Sequence, residues 1–272
     1  MKSKIKRYFD ETIKTLQKKE MAILPACIAY YIVLAIMPTI TLLILISSKF
    51  SFSIDQIVNL IKEFIPEETG KVIIDAISGK GFDTGLGIFT VFAIIFATNG
   101  TYSIILASNT LYNVKKTDVI KNRIKSIVLL GIIMILFLFL LIIPLFGETI
   151  LNLIKEAKLF SSVFNDIIKI FKIMKWPITF IIILFNIKLI YTISPNKEIK
   201  SKDTTYGAIF TTSLWVIFTI IFKYYIKYFA RYDILYGNLS SIIISMIWLY
   251  LLAYIFVFGM ALNANRSELE DE

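Results

Sequence analysis

Hydrophobic positions in this sequence gather into long blocks, and polar positions collect in the shorter segments between them. The stretch 22–47 contains 26 residues and no charged side chain. As a helix it would be about 39 Å long at about 1.5 Å per residue, and the hydrocarbon core of a bilayer is roughly 30 Å thick. The stretch therefore predicts a first membrane span with room for tilt.

The later blocks have the same character, and together they predict an all-α polytopic membrane protein. Six spans are expected, at about 22–47, 84–108, 126–146, 176–194, 204–228 and 238–264. They form a single membrane domain over 22–264, with a basic amphipathic lead-in at 1–21 and an acidic tail at 265–272. Apolar residues at helical spacing in 48–82 and 147–175 predict amphipathic interfacial helices on the outer side of the membrane, between the spans.

Basic residues set the expected orientation in the cytoplasmic membrane. Seven Lys and Arg side chains precede the first span, and the loop 110–125 carries five basic residues and one acid. Because Lys and Arg are retained on the cytoplasmic side, we expect both termini and this loop in the cytoplasm. The net charge of +9 then reflects cytoplasmic loops and anionic lipid headgroups, and not the binding of nucleic acid.

The composition excludes several kinds of catalytic site. The chain has no histidine, and its one cysteine, Cys27, lies inside the first span. Histidine-based hydrolysis, histidine metal sites and an intramolecular disulfide are therefore ruled out. No carboxylate lies within a predicted span, and neither a phosphate-binding loop nor a zinc spacing occurs. We expect no enzyme activity, no metal and no cofactor.

Polar and aromatic residues within the spans are candidates for the lining of a cavity: Tyr30, Tyr31, Asn99, Asn186 and Lys188. The tyrosines lie deeper than interfacial residues, and an amide or ammonium within the bilayer requires a partner. Pro38 predicts a kink in the first span near Leu34, whereas Pro177 falls in the first turn of span four, where proline is tolerated. The alternative is packing: neighbouring helices fill the kink, and Lys188 extends to the inner headgroups.

A cluster of basic and aromatic residues lies at the end of the fifth span and just after it. It has basic residues on one helical face and tyrosines on the next: Lys223, Lys227 and Arg231, then Tyr224, Tyr228 and Tyr232. Gly237 supplies a turn into the sixth span, whose start Asn238 or Ser240 can cap. Cations beside a helix N-terminus favour a phosphate or headgroup site at the outer face. The alternative is an interfacial belt that anchors the helix.

Four stretches together resemble the YihY/BrkB family of bacterial inner-membrane proteins. They are Ala29-Tyr30-Tyr31 through Pro38; Ala107 to Val114; Pro195-Asn196-Lys197 with Asp203, Gly207-Ala208 and Leu214-Trp215; and Tyr236-Gly237-Asn238-Leu239 through Trp248-Leu249-Tyr250 and Gly259 to Leu262-Asn263-Ala264. The resemblance covers residues 15–266. It departs at Gly259-Met260-Ala261, where members commonly have Gly-Ala-Glu.

The resemblance implies six spans with both termini inside. Some members carry a ribonuclease label, which the absence of histidine does not support here. Others have been linked to envelope integrity, serum resistance or movement of lipid precursors. Two hypotheses follow. The first is a transporter or flippase-like protein for a lipid or amphipathic anion, with anionic membrane lipids as partners. The second is a non-transporting envelope scaffold that binds other proteins.

Overall fold

The computed structural model describes residues 19–49, 86–115, 118–136, 164–228 and 231–271, with isolated positions between 13 and 74. Every regular element in these ranges is helical, so the expected all-α class is confirmed. The elements are α1 (Lys19–Lys49), α2 (Leu86–Leu111), α3 (119–136), α4 (Phe164–Ile193), α5 (Thr205–Tyr228), a short α6 (Tyr232–Tyr236), a 3₁₀ turn (Gly237–Leu239) and α7 (Ser240–Asp271).

Three of the described helices are long and apolar enough to cross a bilayer: Ile173–Ile193, Thr205–Tyr228 and Ser240–Arg266. The expected spans 22–47, 84–108 and 126–146 each include residues whose backbone or side chains lie outside those described, as do the expected interfacial helices at 48–82 and 147–175. The total of six spans therefore stays a prediction.

Two glycines set the distance between α5 and α7. A Cβ atom added at Gly207 would overlap the carbonyl oxygen of Gly259, and one added at Gly259 would overlap the hydroxyl of Thr211. In a bilayer, lipid tails are as apolar as Leu side chains, so helices associate through close van der Waals contact and hydrogen bonds. Glycine at both positions permits that contact.

Side-chain hydrogen bonds to backbone groups fix the crossing of α5 and α7. Asn263 Oδ1 accepts a hydrogen bond from the Gly207 amide at 2.8 Å, and Asn263 Nδ2 donates to the Thr204 carbonyl at 3.2 Å. The Trp215 indole donates to the Leu252 carbonyl at 2.9 Å. These bonds join α5 to α7 at the start of α5 and near its middle.

Tyr191 joins α4 to the same crossing. Its side chain is fully buried, and its hydroxyl donates to the Phe256 carbonyl of α7 at 2.6 Å. The same hydroxyl lies 2.8 Å from the Thr211 hydroxyl of α5. We call α4, α5 and α7 together the three-helix block, because one buried network connects them.

The main apolar core lies where α2 and α4 end, and it also takes in α1, α5 and α7. Its buried members include Met21, Ile28, Ala107, Leu111, Ile187, Ala208, Val257 and Met260. We call this end of the bundle, with residues 112–115 after α2 and the loop 194–204 after α4, the polar end. The opposite end, at 228–240, is the aromatic end.

The turn from α2 to α3 is formed by two helix caps. Asn113 has a positive φ of 53°, and the Val114 amide donates to the Asn109 carbonyl at 2.9 Å, which is a Schellman closure of α2. Asp118 then caps α3, because its carboxylate accepts the Ile120 amide at 2.8 Å. The short connection makes α2 and α3 antiparallel neighbours.

Among the described residues, three prolines lie inside helices: Pro25 and Pro38 in α1 and Pro177 in α4. α4 begins at Phe164, so Pro177 is in its interior and the expectation of a first-turn position was wrong. Transmembrane helices tolerate such a proline because neighbouring groups satisfy the freed carbonyl. α1 is helical on both sides of Pro38. The Pro38 side chain is outside the described set, so the kink near Leu34 stays a prediction.

We predict that Gly207→Ala lowers the thermal unfolding midpoint, because the added methyl would collide with the α7 backbone, and overpacking costs about 1–3 kcal/mol. The matched control is Gly131→Ala in α3, where nothing lies within 4 Å of an added Cβ. That change should be neutral or stabilise by up to about 1 kcal/mol. Equal midpoints for the two purified variants would contradict the close approach of α5 and α7.

Candidate functional site

The basic residues expected at the aromatic end lie on accessible helix surface. Lys227 and Arg231 are exposed, and Lys223 is half-buried. The Lys227 ammonium lies 5.2 Å from the centre of the Tyr228 ring, within range of a cation–π contact. The tyrosines stack in two pairs with ring centres 6.2 Å apart, namely Tyr224 with Tyr228 and Tyr232 with Tyr236. This end therefore presents cations beside an aromatic surface.

The start of α7 differs in detail from the expected anion site. Gly237 does make the turn, with a positive φ of 52°. The Ser240 amide donates to the Gly237 carbonyl, so it is not free to bind a phosphate. The Asn238 side chain lies outside the described residues. The exposed cationic side chains Lys227 and Arg231 are the binding groups described at this end, and an anion site that also uses the start of α7 stays a prediction.

The five candidate cavity residues fall into two groups: Tyr31 lies beside Gly100, the chain neighbour of Asn99, whereas Asn186 and Lys188 are on α4. Tyr30 is 56% exposed, and its ring makes an edge contact with Tyr31 at 5.2 Å. Asn186 Nδ2 donates to the Ile182 carbonyl of its own helix at 2.9 Å. Lys188 is half-buried in the same helix, α4. A cavity common to all five residues stays a prediction.

A polar junction that the sequence reasoning missed ties three segments together at the polar end. It centres on Asn196, in the loop after α4. The Asn196 amide donates to Asn109 Oδ1 of α2 at 2.8 Å, and Asn196 Nδ2 donates to Asn122 Oδ1 of α3 at 2.6 Å. Lys125 Nζ donates to Asn196 Oδ1 at 2.8 Å and to the Pro195 carbonyl at 2.7 Å. One loop residue therefore connects α2, α3 and α4.

A groove of about 590 Å³ opens beside this junction. Its lining mixes basic, acidic and apolar side chains: Asp118, Ile120, Lys121, Ile124, Lys125, Pro195, Asn196, Lys197 and Glu198. Burial of the ammonium, together with the nearby charge of Lys121, lowers the pKa of Lys125 to about 8. Lys125 is consequently easier to neutralise than a surface lysine.

Several buried polar atoms at this end have no hydrogen-bond partner within the described part of the chain. They are Asn109 Nδ2, the Tyr112 hydroxyl and Ser194 Oγ. The pKa of Tyr112 is raised, first by burial and then by the negative charge of Asp203. Burial of unpaired polar groups costs free energy. Away from the polar end, the Trp248 indole nitrogen of α7 is a further buried polar atom without a partner in the described chain.

Arg123 is the second residue that sequence reasoning missed, because it was counted only as a loop charge. Its Nη1 donates to Asn99 Oδ1 of α2 at 2.7 Å. Its guanidinium carbon lies 4.1 Å from the centre of the Tyr102 ring. Thr101 Oγ1 also donates to the Ser126 carbonyl at 2.8 Å, which fixes α2 against α3 beside it. We call Arg123, Asn99 and Tyr102 the arginine cluster.

The sequence indicated some of the residues in these contacts but not which residues contact one another. Asn109 and Asn196 both fall in stretches that carry the family resemblance, although nothing in their spacing shows that they meet. Asn99 was expected to need a partner, which proves to be Arg123. Among the residues that the structure describes, no three cysteine or acidic side chains are placed to hold a metal ion. The chemistry that the described site can offer is recognition of anions by Arg and Lys.

Comparison with known proteins places the chain in a family. A profile of the virulence factor BrkB family matches residues 12–272. The chain belongs to this family. It is similar to the ribonuclease-like protein YfkH of Bacillus subtilis (strain 168), with 27% identity over 253 residues that cover 90% of each chain. No solved structure matches the chain. The BrkB match and the apolar helices identify it as a membrane protein.

For this BrkB-family chain, Asn196→Ala should destabilise the polar end. The change leaves Asn122 Oδ1 buried without its donor, a loss of about 1–3 kcal/mol. Lys200→Ala, at an exposed position four residues away, is the control and should have little effect. Thermal unfolding of both purified variants measures the difference. A midpoint for Asn196→Ala equal to that of Lys200→Ala would show that the junction does not stabilise the fold.

The lowered pKa of Lys125 predicts a pH dependence of stability. Between the folded pKa of about 8 and the ordinary value of 10.5, the unfolded chain binds more protons at this position than the folded chain. Stability contributed by this group should therefore increase as the pH rises through that window. Lys125→Met removes the titrating group, so the unfolding midpoint of this variant should rise less than that of the wild-type protein over the same pH range. Parallel curves for the two proteins would contradict the shift.

Proposed function

We propose that this protein moves a lipid or another amphipathic anion between the leaflets of the cytoplasmic membrane. In the proposed topology six spans cross the membrane, both termini are cytoplasmic, and the polar end faces the cytoplasm. The proposed activity is not enzymatic. The absence of histidine from the whole chain supports this view, and the ribonuclease-like name belongs to the relative.

The observation that carries the proposal is a pair of cation–aromatic contacts at two different levels along the apolar helices. At the aromatic end Lys227 lies over Tyr228 at 5.2 Å, and towards the polar end Arg123 lies over Tyr102 at 4.1 Å. α5 alone has 24 residues, which corresponds to about 36 Å and exceeds the roughly 30 Å of hydrocarbon. A cation beside an aromatic ring suits a molecule with an anionic headgroup and an apolar body.

This pairing supports movement more than simple attachment to one leaflet. An electrostatic anchor for the cytoplasmic surface needs basic groups only on that side, where anionic lipids attract them. Here one such pair lies at the end of α5, and the other joins α3 to α2 on the side of the polar end. A headgroup that leaves one leaflet thus has a cationic partner near each end of its path.

The proposal predicts lipid movement in vesicles that contain the purified protein. When both leaflets contain fluorescent phosphatidylglycerol, an impermeant quencher added outside should quench a larger fraction of the fluorescence than the fraction of lipid in the outer leaflet. Lys227→Gln combined with Arg231→Gln should slow this several-fold, because charge-assisted contacts to the phosphate are lost. Lys200→Gln with Lys202→Gln removes the same charge from exposed positions elsewhere and should leave the rate unchanged.

Two outcomes would contradict the proposal. If vesicles with the protein behave like protein-free vesicles, transport is rejected and the envelope scaffold that binds other proteins is favoured. If the two double variants slow movement equally, the aromatic end has no specific part in it.

A further inference from the structure

We propose that the arginine cluster is a binding site for the phosphate of a membrane phospholipid, with the acyl chains lying along α2 and α3. This deepens the proposed function, on which it rests, by assigning one headgroup position and a phosphodiester as the recognised group.

The Arg123 side chain reaches towards the middle of the helices and not towards the nearby helix start. Its backbone is four residues into α3, about 6 Å from the helix start, whereas Asn99 is twelve residues, about 18 Å, from the end of α2. Because α2 and α3 are antiparallel neighbours, contact with Asn99 carries the guanidinium inward. A basic side chain near a membrane surface ordinarily extends outward to the headgroups, so this direction requires a specific partner.

The partners of Arg123 within the described chain use few of the N–H donors of its guanidinium group. Asn99 Oδ1 accepts one of its five N–H groups, and the Tyr102 ring faces the cation without accepting a conventional hydrogen bond. Arginine's planar fork matches two oxygens of a phosphate. Arg123 is also exposed, so a ligand can reach it without rearrangement of the core.

The surface around the cluster is apolar in both directions along the helices. On α2 the face that carries Asn99 and Tyr102 also carries exposed Ile95 and Leu106, and on α3 Arg123 lies between exposed Ile120 and Ile127. A soluble phosphate would gain nothing from these side chains. A phospholipid places a phosphate next to hydrocarbon, which fits a cation surrounded by exposed apolar residues.

Native mass spectrometry of the full-length protein in detergent can test the site with matched ligands. Phosphatidylglycerol should bind at least about tenfold more tightly than diacylglycerol with the same acyl chains, because a charge-assisted contact to phosphate is lost without it. In a Lys227→Gln, Arg231→Gln background, which lacks the exposed cations of the aromatic end, Arg123→Gln should remove this preference. Lys121→Gln takes a charge from an exposed position of the same helix and should change it by less than about twofold.

A second pair of variants covers the case in which Arg123→Gln does not purify as a folded protein. Tyr102→Leu removes the aromatic face beneath the cation and should weaken phosphatidylglycerol binding, whereas Tyr102→Phe keeps that face and should not. Millimolar inorganic phosphate should fail to displace the lipid. Displacement by inorganic phosphate would overturn the lipid assignment in favour of a free anion site.

The outcomes separate this site from the transport proposal. An unchanged preference for phosphatidylglycerol when Arg123→Gln is added to that background, or equal binding by both Tyr102 variants, rejects the site, even if the wild-type protein moves lipid in vesicles. If lipid binding depends on Arg123 but the protein does not move lipid between the leaflets, the site is supported and transport is rejected.

Discussion

The close approach of α5 and α7 is the constraint on which the rest of the structure depends. In a bilayer, helices gain no hydrophobic energy by leaving lipid for one another, so contact must come from packing and hydrogen bonds. Gly207 and Gly259 let the backbones meet, and Asn263 then reaches backbone groups of α5 that a larger separation would put out of range. Once this pair is fixed, Tyr191 can bond to both helices and hold α4.

The two ends of the described bundle are stabilised in different ways. The three-helix block uses buried side chains that bond to backbone carbonyls, such as Tyr191 to Phe256 and Trp215 to Leu252. The polar end depends on loop residues and a lysine, and it contains buried polar atoms without partners in the described chain. Because an unpaired buried group costs free energy, the polar end is the part with more to gain from rearrangement or from binding a ligand.

Sequence reasoning gives the helical class well and the contacts between helices poorly, for a physical reason. Apolar length, proline and glycine act locally, so they predict helices and the turn at Gly237, whose positive φ is confirmed. The bond between Asn263 and Gly207 joins residues 56 positions apart, and no periodicity encodes it. Arg123 was assigned to the cytoplasmic loop by counting charge, which locates a residue's backbone but not the inward direction of its side chain.

These energetics bear on where a headgroup could travel under the proposed function. A path between α5 and α7 would have to separate the two glycines and break the Asn263 bonds, which would leave backbone groups unsatisfied in hydrocarbon, where each costs several kcal/mol. The outer surface of α2 and α3 requires no such break, because Arg123 is already exposed there. The three-helix block is therefore better suited to act as a fixed support, against which lipid moves along α2 and α3, than as the walls of a channel.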